Sequence, residues 1–273
     1  MKNSVLLTYL VVCAGLLLSA QNETGFDLGV SGTFNSTWIL KQNNYGTLAA
    51  FTNAVIQKSR MNYVYTWGGN GGLCLGYKIT KHWGLQAEIQ YDLTGQKYND
   101  NFEGPAVIPQ GKFGGINTRV NVQRQLKLDY IQIPLMVKFV AGKKNIKFFA
   151  CLGPQIGIRT SAYEQIKVAG HVYLPDSLNF TVNQKFQTFD AGFALQLGVQ
   201  LYATPHLYFD LGLSAYQGVF DINGKQISTY YYDHNLNYQS TYNFRGGIML
   251  GIHYMFWHDR GGLLDLSKAG DKK

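Results

Sequence analysis

Long apolar runs are absent from this sequence after residue 20. The mean hydropathy is −0.12, although 46% of the residues are hydrophobic. A membrane-spanning helix needs about 20 consecutive apolar residues, so the pattern excludes a helical membrane protein. It leaves a transmembrane β-barrel open, because such strands expose only alternate residues to lipid.

Charge and proline are scarce as well. Charged residues make up 15% of the 273 residues and there are six prolines, against 31 glycines, 19 tyrosines and 16 phenylalanines. This composition is typical of β-proteins with close backbone approaches and aromatic interfaces. No phosphate-binding glycine loop is predicted, because no helix follows the strand that holds Gly68, Gly69, Gly71, Gly72 and Gly76. Close packing explains these glycines better.

Cysteine is also rare. After Cys13, only Cys74 and Cys151 remain. They form no CxxC or Cys/His spacing, which excludes the common cysteine metal sites. An exported chain could form one disulfide between them. Both cysteines lie in the middle of predicted strands, however, which favours buried free thiols.

The first twenty residues have the form of a secretory signal peptide. Lys2 supplies the positive start, and residues 5–18 form an apolar stretch that is too short to span a membrane. Cleavage is expected near Ala20, which lowers the formal net charge from +8 to +7. For an exported basic chain we expect contact with anionic lipid headgroups, lipopolysaccharide or acidic partners, and no nucleic acid.

From residue 25 onward, apolar and polar residues alternate with a period of two. In residues 189–202, for example, Phe189 and Phe193 fall on one face and Asp190 and Gln196 on the other. Seven further stretches behave in the same way: residues 26–38, 73–80, 85–92, 131–139, 148–159, 207–214 and 248–256. The pattern predicts eight strands, with a bulge expected at Pro134.

The connections between these strands alternate in length. Three are tight, at residues 81–82, 142–145 and 205–206, and four are long, at residues 41–62, 101–120, 162–185 and 221–240. Short periplasmic turns and long extracellular loops are typical of a membrane barrel. We therefore predict an all-β fold, a single closed antiparallel up-and-down transmembrane β-barrel over residues 21–256, with a short polar periplasmic tail over residues 257–273.

A soluble sandwich or lipocalin-like barrel would also alternate. Bulky Leu, Phe and Ile residues on the apolar face, with many glycines on the polar face, favour the membrane barrel. An open sheet would leave unpaired backbone groups in hydrocarbon. Aromatic residues near the predicted strand ends would form interface belts: Trp38, Trp83, Tyr91, Tyr254, Phe256 and Trp257.

The polar face predicts a lumen that contains five acids and five bases. A barrel of eight strands is just wide enough for side chains to fill it, so we expect a structural network of salt bridges and hydrogen bonds. Its members are Asp27, Lys78, Glu88, Asp92, Lys138, Lys147, Arg159, Asp190, Asp210 and Arg245. An ion or proton pathway is the alternative reading, but no ring of charges of a single sign supports it.

The histidines are the candidate residues for an enzymatic role. His253 is expected to face the lumen near the periplasmic end. His171 and His234 lie in long loops and could meet Asp176, Ser177 or Asp233 in a Ser/His/Asp arrangement. The spacing is unspecific, and solvated loop residues explain it equally well. We expect no catalytic residue, no metal site and no cofactor.

The last long loop is rich in tyrosine. Tyr230, Tyr231, Tyr232 and Tyr238 offer amphipathic contact area to a protein or glycan partner. The same residues would also fit an upper interfacial girdle.

Residues 128–139 (LDYIQIPLMVKF), with the strand at residues 148–157 (FFACLGPQIG), resemble the PorT-like outer membrane β-barrel family of Bacteroidetes. The resemblance implies an outer-membrane location in a diderm bacterium. That family includes a component associated with type IX secretion and many members with no assigned function, and it supplies no catalytic residues to carry over. The polar tail at residues 257–273 departs from barrels that end on an aromatic residue.

The sequence thus suggests a non-enzymatic outer-membrane scaffold or subunit of an envelope assembly, linked to type IX protein secretion. The alternatives are a stand-alone surface receptor or adhesin, a narrow channel, and a lipid-modifying enzyme.

Overall fold

A computed structural model describes residues 25–41, 60–104, 118–143, 145–168, 171–173, 182–233 and 238–256. The predicted signal peptide and tail lie outside these ranges. The strands are β1 (Gly25–Leu40), β2 (Arg60–Val64), β3 (Trp67–Lys78), β4 (Trp83–Gly104), β5 (Thr118–Lys143), β6 (Ile146–Val168), β7 (His171–Tyr173), β8 (Phe189–Tyr202), β9 (Leu207–Gly218) and β10 (Tyr242–Met255), and the helices are α1 (Val182–Lys185) and α2 (Lys225–Asp233). No helix within the described ranges is long and apolar enough to cross a membrane.

Eight of these strands close an antiparallel ring in the order β1, β3, β4, β5, β6, β8, β9 and β10, and β10 pairs back with β1. The predicted eight-stranded barrel is confirmed. The two short strands are not part of the ring. They extend its wall at one end, where β2 pairs with β4 and β7 pairs with β6. Because the ring closes, no strand has a free edge at the heights that all eight strands share.

The two ends of the barrel differ. Tight turns join β3 to β4, β5 to β6 and β8 to β9 at one end, which we call the turn end. At the opposite loop end, β4, β5 and β6 are taller than the rest, with 22, 26 and 23 residues against 12 to 16 for the other five strands of the ring. Residues 101–104, 118–120 and 162–168, predicted as loop, therefore belong to strands. We call the part of β4 to β6 that rises past the other strands the extension.

The outward face of the ring is apolar. On β4, Leu85, Ile89 and Leu93 point outward with 49%, 60% and 49% exposure, whereas Glu88 and Asp92 point inward and are buried. The outward apolar positions on this strand run from Trp83 to Leu93, which is about 33 Å of strand and about 25 Å along the barrel axis at a tilt of about 40°. This height matches the apolar band of a membrane barrel.

Aromatic residues mark both edges of the band. At the turn end, the ring centroids of Trp83 and Phe139 are 4.9 Å apart, and at the loop end those of Phe34 and Trp67 are 4.8 Å apart. Such pairs suit the polar-apolar boundary of a membrane. The predicted belt residues Trp38, Trp83, Tyr91, Tyr254 and Phe256 are described and Trp257 is not.

A register shift between β5 and β6 lies at Asp129 and Tyr130, and not at Pro134 as predicted. Asp129 pairs with Ser161 and Tyr130 with Arg159, so Thr160 is the extra residue, and its hydroxyl donates to the Asp129 carbonyl oxygen at 3.1 Å. Pro134 keeps regular register with Gln155. The missing proline N–H therefore costs a ladder bond without inserting a residue.

The glycines of β3 allow the wall to curve tightly. A β-carbon on Gly72 would lie 1.9 Å from the Ile89 carbonyl oxygen of the neighbouring strand. No side chain fits there, which agrees with the close packing expected for this segment.

Candidate functional site

The lumen contains buried polar and charged side chains from the turn end to the loop end. Seven of the ten charged residues predicted for it are buried: Asp27, Glu88, Asp92, Lys138, Asp190, Asp210 and Arg245. Lys78, Lys147 and Arg159 are half-buried. The buried interior of the ring therefore carries five carboxylates, two permanent cations and His253, in place of the predicted balance of five and five.

Nearest the turn end, His253 lies between two carboxylates and is hydrogen-bonded to one of them, Asp27. Its Nδ1 lies 3.1 Å from Asp27 Oδ1 and its Nε2 lies 3.4 Å from Asp210 Oδ2. Lys138 Nζ lies 3.3 Å from the same Asp210 oxygen, and the Tyr208 ring stacks on the imidazole at 4.8 Å. The predicted inward position of His253 is found, and it forms one end of a continuous charged layer.

Lys78 and Lys147 belong to the turn-end rim. Lys78 lines a small opening beside Asp27 and Tyr202, and Lys147 Nζ lies 4.6 Å from the centroid of the Tyr202 ring. Long cationic side chains can extend toward water while their stems pack against the wall. Because these two bases lie at the rim, the buried part of the lumen contains more acids than bases.

In the middle of the barrel, Glu88 is held by amides. Gln196 Nε2 donates to Glu88 Oε1 at 3.1 Å, and Gln86 and Gln90 also donate their side-chain N–H groups to the carboxylate. Three donors replace the water that a charged carboxylate loses on burial. The glutamines were not singled out from sequence, although their inward parity was visible.

An apolar cluster lies in the same part of the lumen. It consists of Met136, Phe149, Cys151, Ala194 and Met249. Cys74 and Cys151 are both buried and free, as their position within strands favoured. Because these side chains point into the barrel and do not contact lipid, they serve to pack its interior.

Closer to the loop end, Arg245 forms an ion pair with Asp92. Its guanidinium also donates to Gln155 Oε1 at 3.3 Å and lies 4.9 Å from the centroid of the Tyr216 ring. The side chains of Arg245 and Asp92 are 4% and 0% exposed. The pair and its neighbours form a second buried layer across the lumen at this height.

Asp190 lies one layer higher and is bound by a neutral partner. Asn243 Nδ2 donates to Asp190 Oδ2 at 2.8 Å and to the Tyr130 hydroxyl at 3.3 Å. The Asn243 amide thus occupies the place of the cation that the predicted network would have supplied.

The mouth of the barrel at the loop end is closed by two segments that we call the mouth cap, residues 182–188 and 219–224. Phe186 and Asn223 form an antiparallel bridge, and the Gly224 N–H donates to the Lys185 carbonyl oxygen at 2.7 Å. Phe186 and Ile222 are buried in an apolar cluster with Ile39, Leu126, Leu128 and Tyr130. Both segments come from connections that were predicted as exposed loops.

Arg159 fixes the mouth cap to the wall. Its guanidinium donates four hydrogen bonds to the segment 183–187: to the Asn183 side-chain oxygen at 2.8 Å, and to the carbonyl oxygens of Asn183, Phe186 and Gln187 at 3.0 to 3.2 Å. It was predicted as a member of the lumen network. The structure instead directs it to backbone carbonyls at the rim, because the cap segment passes over β6 there.

A second buried network supports the extension. Glu164 pairs with Arg124 through one oxygen and with Lys185 Nζ at 3.0 Å through the other, and the Arg124 guanidinium lies 5.5 Å from the centroid of the Tyr98 ring. The strand prediction ended too early for these residues to be recognised. Lys185 links the network to the mouth cap.

The tyrosine cluster is divided. Tyr232 lies on α2 with 83% exposure, and only the helical backbone position is described for Tyr230 and Tyr231. The Tyr238 hydroxyl donates to Asp221, whose other oxygen accepts the N–H groups of Asn223 at 3.0 Å and Thr241 at 2.9 Å. Burial, together with the bond to Asp221, raises the pKa of Tyr238 to about 12, so this phenol remains a donor in neutral water.

The Ser/His/Asp arrangement stays a prediction. His171 lies in β7 without a described side chain, Asp233 ends α2, and Asp176, Ser177 and His234 lie outside the described residues. Among the residues that the structure describes, no group of three or more His, Cys, Asp or Glu side chains could hold a metal ion.

The family model described as outer membrane protein beta-barrel domain matches residues 19–224. The chain belongs to this family. Membership and the outward apolar band place the protein in the outer membrane. By the usual arrangement of such barrels, the turn end faces the periplasm and the loop end faces the outside.

Several solved structures resemble this outer-membrane barrel. Neisserial surface protein A has 11% identity and a TM-score of 0.39, covering 86% of this chain and 100% of that chain. OprG from Pseudomonas aeruginosa has 11% identity and a TM-score of 0.35, covering 86% and 99%. Ail, the attachment invasion locus protein of Yersinia pestis, has 10% identity and a TM-score of 0.30, covering 85% and 99%. No match was found among the curated proteins.

Proposed function

We propose that this outer-membrane barrel is a non-enzymatic scaffold, a subunit of an envelope assembly that acts through its surfaces. The observation that supports the proposal is the mouth cap over a lumen of buried, paired side chains. Phe186 and Ile222 are 5% and 0% exposed inside the mouth, and Arg159 ties the cap to the wall.

Passage through the lumen would require several charged layers to break. The layer around His253, the amide-bound Glu88 and the Arg245 pair lie below one another beneath the cap. Separating a buried pair leaves an unpaired charge, which costs about 3–5 kcal/mol. A scaffold is favoured over a channel because each layer opposes passage independently.

A second consideration is the resemblance of residues 128–139 and 148–157 to the PorT-like family. That resemblance makes components of type IX secretion the first partners to look for. The periplasmic turns and the exposed cap at the cell surface are the surfaces available to them.

The test is to extract the protein from its own outer membrane in mild detergent and to identify co-purifying proteins by quantitative mass spectrometry. An unrelated barrel of similar size, tagged and extracted in parallel, is the control. Envelope components enriched at a fixed ratio over the control support the scaffold. Recovery as a folded, heat-modifiable monomer without stoichiometric partners contradicts it.

A surface receptor is the second candidate, and Tyr232 favours it. A tyrosine with 83% exposure on an ordered helix at the cell surface is suited to binding a protein or glycan. Cells that carry Tyr232→Ala would then lose adhesion to a glycan or cell surface that wild-type cells bind. Thr229→Ala, an exposed position on the same helix, would be the matched control.

A further inference from the structure

The outward face of the extension changes character above the apolar band. Lys97 on β4, Lys127 on β5 and Lys167 on β6 occupy exposed outward positions beyond the last apolar residues of these strands. Asp129 is the acidic side chain among the described outward positions there, and it already accepts a hydrogen bond from the Tyr91 hydroxyl at 3.4 Å. The face is therefore basic.

Strand register places two of these lysines in one groove. Lys97 pairs with Gln125, which pairs with Gln165, and Asn99 pairs with Gln123, which pairs with Lys167. The two rows are adjacent on the same face, and they line a groove of about 310 Å³. Val64, Tyr98 and Arg124 complete its lining.

The lining combines two chemistries. The amides of Asn99, Gln123, Gln125 and Gln165 can each donate and accept hydrogen bonds, which suits the hydroxyl groups of a saccharide. The ammonium groups of Lys97 and Lys167 suit a phosphate. Their Cα atoms are on the order of 12 Å apart, two strands across and two residues along, so a phosphorylated saccharide can reach both.

The position of the groove selects a lipid as the source of that saccharide. Lys127 pairs with Gly95 and with Tyr163, and Tyr91 and Tyr163, with 50% and 40% exposure, lie where hydrocarbon gives way to headgroups. The groove is thus continuous with the lipid-facing wall. A molecule with acyl chains on that wall would present its headgroup to the groove.

We propose that the groove on the outward face of the extension binds the phosphorylated saccharide headgroup of an outer-leaflet glycolipid. The site is independent of the scaffold proposal, because it faces the membrane plane and uses neither the lumen nor the cap. Its lysines would hold the phosphates and its amides the sugar hydroxyls.

The test measures glycolipid binding to the full-length barrel in detergent by native mass spectrometry. The probes are a short-chain phosphorylated lipopolysaccharide, its enzymatically dephosphorylated form and the soluble phosphorylated oligosaccharide released from it. Lys97→Gln/Lys167→Gln is compared with Lys81→Gln/Lys225→Gln, which removes the same charge from an exposed periplasmic turn and from α2. Heat-modifiability confirms that each variant is folded.

We expect the groove variant to weaken binding of the phosphorylated glycolipid by roughly tenfold to thirtyfold, since each lysine near a charged lipid surface contributes about 1 kcal/mol. The control variant should bind as the wild type does, and the dephosphorylated lipid should bind no better to the wild type than to the groove variant. Equal loss in both variants, or equal binding of the dephosphorylated lipid, would overturn the proposal. Equally tight binding of the soluble oligosaccharide would overturn the assignment to a lipid.

Discussion

Gly76 lies directly opposite Asp27 on the β1–β3 ladder, and a β-carbon on Gly76 would fall 2.2 Å from Asp27 Oδ2. Gly76→Ala should therefore displace the carboxylate from His253 and destabilise the barrel by about 1–3 kcal/mol. Urea unfolding in lipid vesicles, followed by tryptophan fluorescence, measures the change. Gly71→Ala is the control, since its β-carbon would meet nothing closer than 3.6 Å. Equal stability of the two variants would show that the Asp27 carboxylate can move away from position 76 without a cost in stability.

Arg245 and Asp92 should behave as a buried pair. Arg245→Met leaves the Asp92 carboxylate without its cation, and we expect a loss of about 3–5 kcal/mol in the same unfolding assay. Arg245→Met/Asp92→Leu removes both charges and should recover most of the loss. A double variant no more stable than the single one would mean that the contribution of Arg245 comes from its contact with Tyr216.

Arg159 should control access to the mouth cap. Arg159→Gln removes the guanidinium, which donates all four hydrogen bonds to the segment 183–187, so trypsin should cleave after Lys185, which is 2% exposed in the intact protein. Peptide mapping of treated proteoliposomes measures the cleavage. Lys225 is exposed and provides an internal control, because its cleavage should not change. Protection of Lys185 in the variant would show that the cap is held by the Phe186 cluster alone.

The barrel should not conduct ions. Planar-bilayer recordings of the wild type and of Arg159→Gln should both remain silent, because the charged layers beneath the cap stay closed when the cap loosens. An open porin inserted under the same conditions verifies the assay. Discrete conductance steps from the wild type would exclude a sealed scaffold.

The Tyr238 hydroxyl should lose its proton at a higher pH than an ordinary tyrosine. Its pKa is raised to about 12, whereas tyrosine in an unfolded chain titrates near about 10. Its contribution to the stability of the cap is therefore complete below pH 10 and is lost as the pH rises through about 12. The ¹³Cζ resonance that disappears in Tyr238→Phe identifies the residue, and its midpoint gives the pKa. A midpoint near 10 would contradict the hydrogen bond to Asp221.

The sequence predicted the ring well because lipid on one side and packed polar groups on the other impose a period of two. Residues 189–202 show this most clearly, since Phe193 and Leu197 face outward while Asp190 and Gln196 are buried. The extension was missed for the same reason. Beyond the apolar band both faces are polar, as Lys97 beside the buried Gln96 illustrates, so alternation no longer distinguishes a strand from a loop.

For the candidate site, the sequence predicted only which side chains face the lumen. Parity gave the inward positions, but it could not show that Glu88 is bound by three glutamines or that Arg159 turns to the carbonyls of the cap. Those contacts join residues distant in sequence, such as Glu88 and Gln196, which are 108 positions apart. The pairing of Phe186 with Asn223 depends on two connections meeting above the mouth, which local patterning does not encode.

The seam between β1 and β10 sets the order of biogenesis. His253 contacts Asp27, which lies 226 positions earlier in the chain. β1 can pair with β3 as soon as both are synthesised, but its other neighbour, β10, is the last strand of the ring to be made. Until then two rows of backbone hydrogen-bonding groups stay unpaired, and hydrocarbon penalises each of them by several kcal/mol. Insertion must therefore wait for the whole ring, and a chain interrupted before β10 would have no stable place in the bilayer.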